Sequence, residues 1–577
     1  MTAFPTSITL IWAILLTTLQ TVQPRIIPDT NGGFEFIILH NNDMHARFDQ
    51  TGRNSVSCSP KDMQKGRCYG GFARTANVIR RYREQAKQPG GTPVLYLNAG
   101  DTYSGTSWFA IFKDKITSIL LNALEPDAIS LGNHEFDDGI EGLVPFIENA
   151  RFPILAANLD LSKTPEMANL PRLQNSTILT VAGNRVGIVG YLTPQTKVLN
   201  RRNNIEYLTE IEAINRETEK LKAEGIDIII ALGHSGYDTD QEIARFCPDV
   251  DIVVGGHTNT FLYTGTPPDI EKPQGLYPTV IEQDNGKKVP VVQAYAFTKY
   301  LGYIKLKFDT NGTLLEWEGN PILLDSSVPQ DQDILDILNI YRPNVTAAKT
   351  EVLGKSKVIL DASRHACRKD ECNLGNMVAD SMIYARIKEL EPTSYKFWTD
   401  AAIAFVQAGA LRSSIERKPN STITRNDILS VLPFGNALYV VKVPGHVIRT
   451  TLEYSATKYD LMESNGGYLQ MAGVRVVYDM TKPLGERVIS VEALCAECLI
   501  PEYRNLDDRK TYKIIISSFL LMGGDGHSIV DKENPLHEAI DMGITDTDAA
   551  AQYIRAKEPV SPAVEGRITI HCGDRCF

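Results

Sequence analysis

The sequence predicts a layered α/β protein with buried sheets, on three observations. Apolar, β-rich runs recur through residues 26–335: Phe34–Leu39, Val94–Leu97, Val186–Val189, Ile226–Ala231 and Ile252–Val254. Helical stretches such as Phe72–Gln85 and Leu208–Glu224 lie between some of them, and this alternation builds sheets covered by helices. The composition, 43% hydrophobic and 22% charged, is that of a globular chain. It excludes collagen-like, coiled-coil and disordered classes.

The chain has 577 residues, enough length for roughly three to four domains. Residues 8–19 carry no charge, and the first charged side chain is Arg25. A run this short falls below the roughly 20 residues that span a bilayer. It suits the apolar core of a secretory signal, placed at 1–24. The section 26–335 forms the first domain. Gln332–Arg342 reads as a helix closed by Pro343, and a linker helix is placed at 336–351. The section 352–577 has its own strands, Ala401–Val406, Tyr439–Val443, Val474–Tyr478 and Lys513–Ser517, and its own Gly-rich turns.

Cysteine spacing agrees with export. Cys58/Cys68, Cys367/Cys372, Cys495/Cys498 and Cys572/Cys576 are close pairs that read as local disulfides, and Cys247 is left over as a buried free thiol. Asn-x-Ser/Thr acceptor sequences at Asn175, Asn311, Asn344 and Asn420 fit a secreted glycoprotein. The chain ends Ile-His-Cys-Gly-Asp-Arg-Cys-Phe, without the apolar tail of about 10–20 residues that precedes lipid anchoring. A soluble, secreted protein with no stable membrane anchor is expected. The net charge of −11 argues against nucleic acid as a partner. An anionic substrate would need local positive charge from metals or a few arginines. Nothing in the sequence sets the oligomeric state.

The chemistry lies at the ends of the apolar runs. Phe34–Leu39 leads into His40-Asn41-Asn42-Asp43-Met44-His45, and Val94–Leu97 into Asn98-Ala99-Gly100-Asp101. Ala128–Leu131 leads into Gly132-Asn133-His134-Glu135-Phe136-Asp137. Ile226–Ala231 ends at Leu232-Gly233-His234, and Ile252–Val254 at Gly255-Gly256-His257-Thr258-Asn259. Alone, an Asp-x-His is usually a turn and a Gly-Gly-His usually a loop. Together, after strand-like runs, they form a pattern that is hard to obtain by accident. Ligands in α/β sheets sit beyond the carboxyl ends of strands. If these loops share one edge, Asp43, His45, Asp101, Asn133, His234 and His257 converge into a set suited to two divalent ions with one bridging carboxylate. Imidazole favours zinc and other transition metals. Calcium, magnesium or manganese are the alternatives. His134 stands beside Asn133, and Asp137 lies three residues on. In a helical turn Asp137 would hold the His134 imidazole charged, ready to protonate a leaving oxygen; the alternative is a supporting group behind the metal ligands.

Here the sequence resembles a family. LHNNDMHARF, NAGDTYSGT, SLGNHEFDDG, GHSGYD and GGHTN are similar to segments of the metallophosphoesterases of the 5′-nucleotidase/apyrase family, and the resemblance covers nearly the whole mature chain. It implies a four-layer α/β/β/α metallophosphoesterase domain followed by a C-terminal α/β nucleotide-binding domain. It implies Asp43, His45, Asp101, Asn133, His234 and His257 as metal ligands, His134 and Asp137 as the catalytic pair, and Asn259 as a further polar group beside the first metal. A non-catalytic descendant that only binds nucleotide or a host receptor would be expected to lack one of these residues, and none is missing.

In the second half, Phe434 lies in Leu-Pro-Phe-Gly, and Phe519 precedes Gly523-Gly524-Asp525-Gly526. Read alone, such phenylalanines are more often core. Two aromatics beside glycine turns can also sandwich a base, at about 1–3 kcal/mol per stacked base. Asp525 could accept from ribose hydroxyls, and Arg368 and Arg412 could grip phosphate. The resemblance implies Arg368, Gln407, Arg412, Phe434, Phe519 and Asp525 as substrate contacts, and a C-terminal domain that rotates on the linker helix. One departure stands out. The usual loop has Asn-Gly-Gly before its arginine, and this chain has Gln407-Ala408-Gly409-Ala410-Leu411-Arg412. That form is similar to secreted salivary apyrases of blood-feeding arthropods. It tilts the expected substrates toward ATP and ADP, with an anti-platelet role implied. The alternative is a 5′-nucleotidase that hydrolyses AMP.

Overall fold

A computed structural model describes residues 33–53, 55, 58–199, 203–390, 397–459, 465–530 and 539–573. The expected signal at 1–24 lies outside the described residues, as does Cys576.

The apolar runs become two facing sheets. The first has eight strands, ordered Leu314–Gly319, Tyr300–Phe308, Phe34–Asn41, Val94–Asn98, Ala128–Ser130, Ile154–Leu155 and Leu173–Gln174, with Ile322–Leu323 paired to Tyr300–Phe308. The second has six, ordered Thr279–Glu282, Lys288–Val292, Ile252–Val254, Ile228–His234, Asn184–Leu192 and Ser176–Val181. The central strands of both are parallel. Period-2 alternation sends Phe36, Ile38, Leu95 and Leu97 of one sheet inward against Ile188, Ile230, Leu232 and Val254 of the other. The opposite faces carry their own cores. Ile37, Leu39 and Tyr96 pack with residues of the Phe72–Ala86, Ser107–Leu124 and Gly139–Asn149 helices. Val189, Ile229 and Ala231 pack with residues of Glu210–Ala223 and Tyr237–Phe246. The result is four layers, α/β/β/α.

The helix expected to stop before Pro343 runs from Gln332 to Thr350, with Pro343 inside it. An internal proline removes one backbone hydrogen bond and costs ~3 kcal/mol. Packing outweighs this: Ile334, Leu338 and Val345 are buried in the first domain's outer core. Arg342, next to the proline, donates to both carboxylate oxygens of Asp49 at 2.9 Å and lies over the Trp108 ring.

The C-terminal domain is built on a five-stranded sheet, ordered Leu469–Ala472, Ile403–Gln407, Thr511–Ser517, Ala437–Pro444 and Ile540–Thr545. A second sheet is ordered Tyr503–Asn505, Val488–Leu494, Val474–Asp479 and Ile568–His571. Strand direction gathers the chemistry at one edge of the five-stranded sheet. Gln407 ends one strand, Phe519 follows the end of its parallel neighbour, and Phe434 precedes the start of the antiparallel next one. Cys58–Cys68, Cys367–Cys372 and Cys495–Cys498 are disulfide-bonded, and Cys247 is a buried free thiol. Among the described residues no helix is long and apolar enough to cross a membrane.

Candidate active site

The residues singled out at strand ends lie at the carboxyl edge of the parallel strands, and both sheets contribute. Asp43 and His45 follow Phe34–Asn41, Asp101 follows Val94–Asn98 and Asn133 follows Ala128–Ser130. His234 is the last residue of Ile228–His234, and His257 follows Ile252–Val254. Asp43, His45, Asp101, His257 and Asn259 all hold φ between 46° and 82°. Non-glycine residues pay for that left-handed conformation, and it persists where the surroundings over-determine it.

The ligand atoms converge. His45 Nε2 lies 3.7 Å from Asp43 Oδ1 and 3.9 Å from Asp101 Oδ2. His234 Nε2 lies 2.8 Å from Asp101 Oδ2 and 3.9 Å from Asp43 Oδ1. Two groups able to hold a cation result, His45/Asp101/His134 and Asp101/His234/His257, each with its ligand atoms within 4.8 Å of one another. Asp101 belongs to both, as a bridging carboxylate must. The imidazoles are oriented from behind. His234 Nδ1 bonds to the Ala99 carbonyl at 2.6 Å and His45 Nδ1 to that of Tyr103 at 3.3 Å. This leaves each Nε2 toward the cluster. Asp43 Oδ2 accepts from the Asn42 amide (2.8 Å) and the His257 N–H (2.9 Å), and Asp101 Oδ1 accepts from the His134 N–H (2.8 Å).

Electrostatics support cation binding. Burial pushes His257 down to about 3 and holds His45 well below its ordinary value, with Arg412 adding to the latter. Both are then neutral imidazoles near pH 7, the form that can donate to a cation. Burial opposes ionisation of Asp101, but His234, His134 and His45 hold it well below the usual carboxylate range. His234 rises to about 10 because Asp101 and Asp43 overcome its burial. The mixed imidazole and carboxylate donor set fits two transition-metal-like cations sharing Asp101.

His134 begins a single 3-10 turn, His134–Phe136. Its Nδ1 lies 2.8 Å and 3.1 Å from the two oxygens of Asp137, which also accepts from the Ser104 hydroxyl. Asp137 and Asp101 raise the His134 pKa despite burial.

The C-terminal domain faces this cluster. Arg412 Nη2 lies 3.5 Å from His45 Nε2, and the Phe434 ring is nearly parallel to that of His134, 6.0 Å away. Arg412 also lies over Phe434. Arg368 neighbours Arg364, Arg412 and Asp525 closely enough to be shifted by all three, though burial is the larger influence. Phe519 is half-buried, and its ring occupies the space a Cβ at Gly524 would take, 2.3 Å away. Asp525 is buried with φ 54°, and Gln407 is buried with no hydrogen-bond partner for its side-chain oxygen.

The comparisons with known proteins agree along the length of the chain. The calcineurin-like phosphoesterase model matches residues 36–261, and the 5′-nucleotidase C-terminal domain model matches 351–532. "Protein 5NUC" of Lutzomyia longipalpis is 48% identical over 542 residues, 94% of this chain and 93% of its own. The chain belongs to the 5′-nucleotidase family. The 5′-nucleotidase of Homo sapiens is 41% identical over 548 residues, covering 94% of this chain and 92% of its own. Among solved structures, the 5′-nucleotidase precursor from Thermus thermophilus superposes with a TM-score of 0.80 at 31% identity, covering 93% of this chain and 99% of that one. This family member is therefore a metal-dependent phosphohydrolase with two domains.

Sequence reasoning missed several of its site residues. Glu135 accepts from the backbone N–H groups of Asp101, Thr102, Tyr103 and Gly132 at 2.7–3.1 Å. Its place inside Gly-Asn-His-Glu was the available signal. Arg364 reaches across from the C-terminal domain. The Asn259 amide, oriented with nitrogen toward Asp43, donates to Asp43 Oδ1 (2.7 Å) and accepts from Arg364 Nη2 (2.9 Å). Arg47, buried beside His45, donates to the carbonyls of His45 and Gly105. Neither arginine stood out from the other cations of the sequence.

Proposed function

We propose that this protein hydrolyses nucleoside 5′-monophosphates, with AMP as reference substrate, to nucleoside and orthophosphate outside the cell. The carrying observation is the match to proteins named 5′-nucleotidase along 94% of the chain. Kinship with a snake venom 5′-nucleotidase of Naja atra, 40% identical over 546 residues, supports secretion. In this reading Asp43, His45, Asp101, Asn133, His234 and His257 hold two divalent ions, zinc foremost. When bound, the ions neutralise phosphoryl charge and supply an activated water for in-line displacement. Asp137 holds His134 at Nδ1, so the reacting proton sits on Nε2 and passes to the leaving 5′ oxygen. Arg368 and Arg412 grip the phosphoryl oxygens, with Gln407 and Asn259 as further polar contacts. Phe434 and Phe519 stack on the base, and Asp525 accepts from the ribose hydroxyls. The catalytic domain covers 26–335 and the nucleotide domain 352–577. The nucleotide domain turns on the helix between them, 336–351.

A second reading, an apyrase that removes terminal phosphates from ATP and ADP in a salivary, anti-platelet setting, rests on Gln407. Its side chain is one methylene longer than the asparagine of the usual loop, and its oxygen is uncommitted. The names of the relatives favour the monophosphate reading. Phosphate release from AMP, ADP and ATP by the purified, metal-loaded protein decides. Release from AMP alone establishes the first reading, and release from ATP and ADP but not AMP overturns it.

A further inference from the structure

The segment Gly466–Gln470 carries no residue yet assigned to chemistry, but it touches three loops of the C-terminal domain: those of Arg412, Asp525 and Arg368. The Ala408 N–H donates to the Tyr468 carbonyl (2.7 Å) and the Gly409 N–H to that of Gly466 (2.8 Å), which fixes the turn leading to Arg412. His527 Nε2 bonds to the Gly467 carbonyl (2.8 Å). Gly467 itself lies against Asp525, where a Cβ would meet that of the aspartate at 3.1 Å. The third loop is held by a side chain. Gln470 Nε2 donates to the carbonyls of Cys367 (2.8 Å) and Asp370 (2.7 Å), and its Oε1 accepts from the Cys372 N–H (3.0 Å).

Gln470 is fully buried, and these bonds engage both its N–H donors and its oxygen. They bracket Arg368 in sequence. The Cys367–Cys372 disulfide closes this short loop on itself. The Gln470 amide ties the closed loop to the Leu469–Ala472 strand. That strand pairs directly with the one ending at Gln407, in the register Val406↔Gln470 and Gln407↔Leu469. A buried amide whose polar atoms are all engaged specifies one geometry, because losing it strands several backbone groups at once.

We infer that Gln470 is a positioning residue for the phosphate grip: it holds the Arg368 loop at a fixed offset from the Arg412 loop, so that both guanidiniums can meet one phosphoryl group. This rests on the reading of Arg368 and Arg412 as phosphate contacts. It assigns the register between those arginines to a side chain that touches no substrate.

The test compares Gln470→Ala and the isosteric Gln470→Glu with the parent protein, metal-loaded throughout. Gln470→Glu keeps the shape and sets a carboxylate oxygen against the two carbonyls of Cys367 and Asp370. In both variants KM for AMP and the Kd for orthophosphate, read by calorimetry, should rise about tenfold or more, the scale of one lost charged hydrogen bond. The kcat should stay within about threefold, because a phosphate contact weakened equally in ground and transition states cancels from it, and the inhibition constant of adenosine, which has no phosphate, should not move. An unchanged orthophosphate Kd in either cooperatively folded variant would overturn the inference. So would a parallel rise in the adenosine constant, which would mean general loosening. If Gln470→Ala does not fold, Gln470→Glu carries the same measurements. A parent protein that releases no phosphate from AMP would sink the proposed activity, while the orthophosphate comparison would still decide the role of Gln470.

Discussion

Arg412 of the C-terminal domain places a guanidinium nitrogen 3.5 Å from the Nε2 of His45 in the N-terminal domain. A cation from one domain thus stands at the edge of the carboxylate and imidazole cluster of the other. Ser107 and Asn426 meet across the same interface at 2.6 Å. The C-terminal loops that carry Arg412 and Asn426 lie against the first domain, Arg412 at the edge where His45 stands.

His134→Ala should lower kcat by roughly 10²–10⁴-fold while AMP still binds. Steady-state kinetics and calorimetric binding to the same preparation check this. Unchanged turnover would remove His134 from proton transfer.

Glu135→Ala should destabilise the first domain by about 3–5 kcal/mol, the scale of a broken buried charged network. The carboxylate accepts four backbone N–H groups from the loops that carry Asp101 and Asn133. Denaturant unfolding and the metal content of the purified variant are the measurements. Glu135→Gln, which loses one acceptor oxygen, should fall between.

Asp525 predicts a pH effect. Burial pushes its carboxyl from the ordinary 3.8 up to about 6, against the pull of Arg368 and Lys458. Between those values the native protein holds a proton the unfolded chain has released. The group's contribution to stability therefore falls as pH rises from about 4 to about 6 and is level above. Under the proposed function binding runs the other way, because only the carboxylate would accept from both ribose hydroxyls. KM for AMP should climb as pH drops below about 6. A phosphate ester without ribose should not share that rise, and Asp525→Asn should abolish it.

Arg364→Ala should raise KM for AMP about tenfold, the scale of one charge-assisted hydrogen bond. It removes a cation that contacts Asn259 beside Asp43. Arg364→Lys should recover part of the loss, since it restores charge without the planar fork. An unaltered KM in Arg364→Ala would confine this arginine to domain contact.

Phe519→Ala should weaken nucleotide binding by about 1–3 kcal/mol and leave hydrolysis of a phosphate ester lacking a base unaffected. Equal losses for both substrates would mean that the ring supports the loop around Gly524 and does not stack on the base.

The layered fold and the convergence of the strand-end residues were legible in the sequence because both follow from local signals. Apolar runs separated by helical stretches mark strands buried on both faces, and parallel direction sends Asp43, Asp101, Asn133, His234 and His257 to one edge. What stayed hidden depends on partners remote in sequence. The helix continues through Pro343 because Val345 and Leu338 are buried against the first domain and Arg342 meets Asp49. Proline alone argues the opposite. Gln470 carries no signal in the sequence, and its contacts arise only when the loop of Cys367 and Cys372 folds back on it. Arg364 becomes significant only when the two domains meet.

Asp43 and Asp101 issue from one sheet of the first domain, and His234 and His257 from the other. Any ion seated among them rivets the two halves of the sandwich across their shared rim. Heat tolerance then becomes a gauge of ion loading: chelation should lower the melting temperature of the whole first domain, by an amount that grows with ion affinity and free ion concentration.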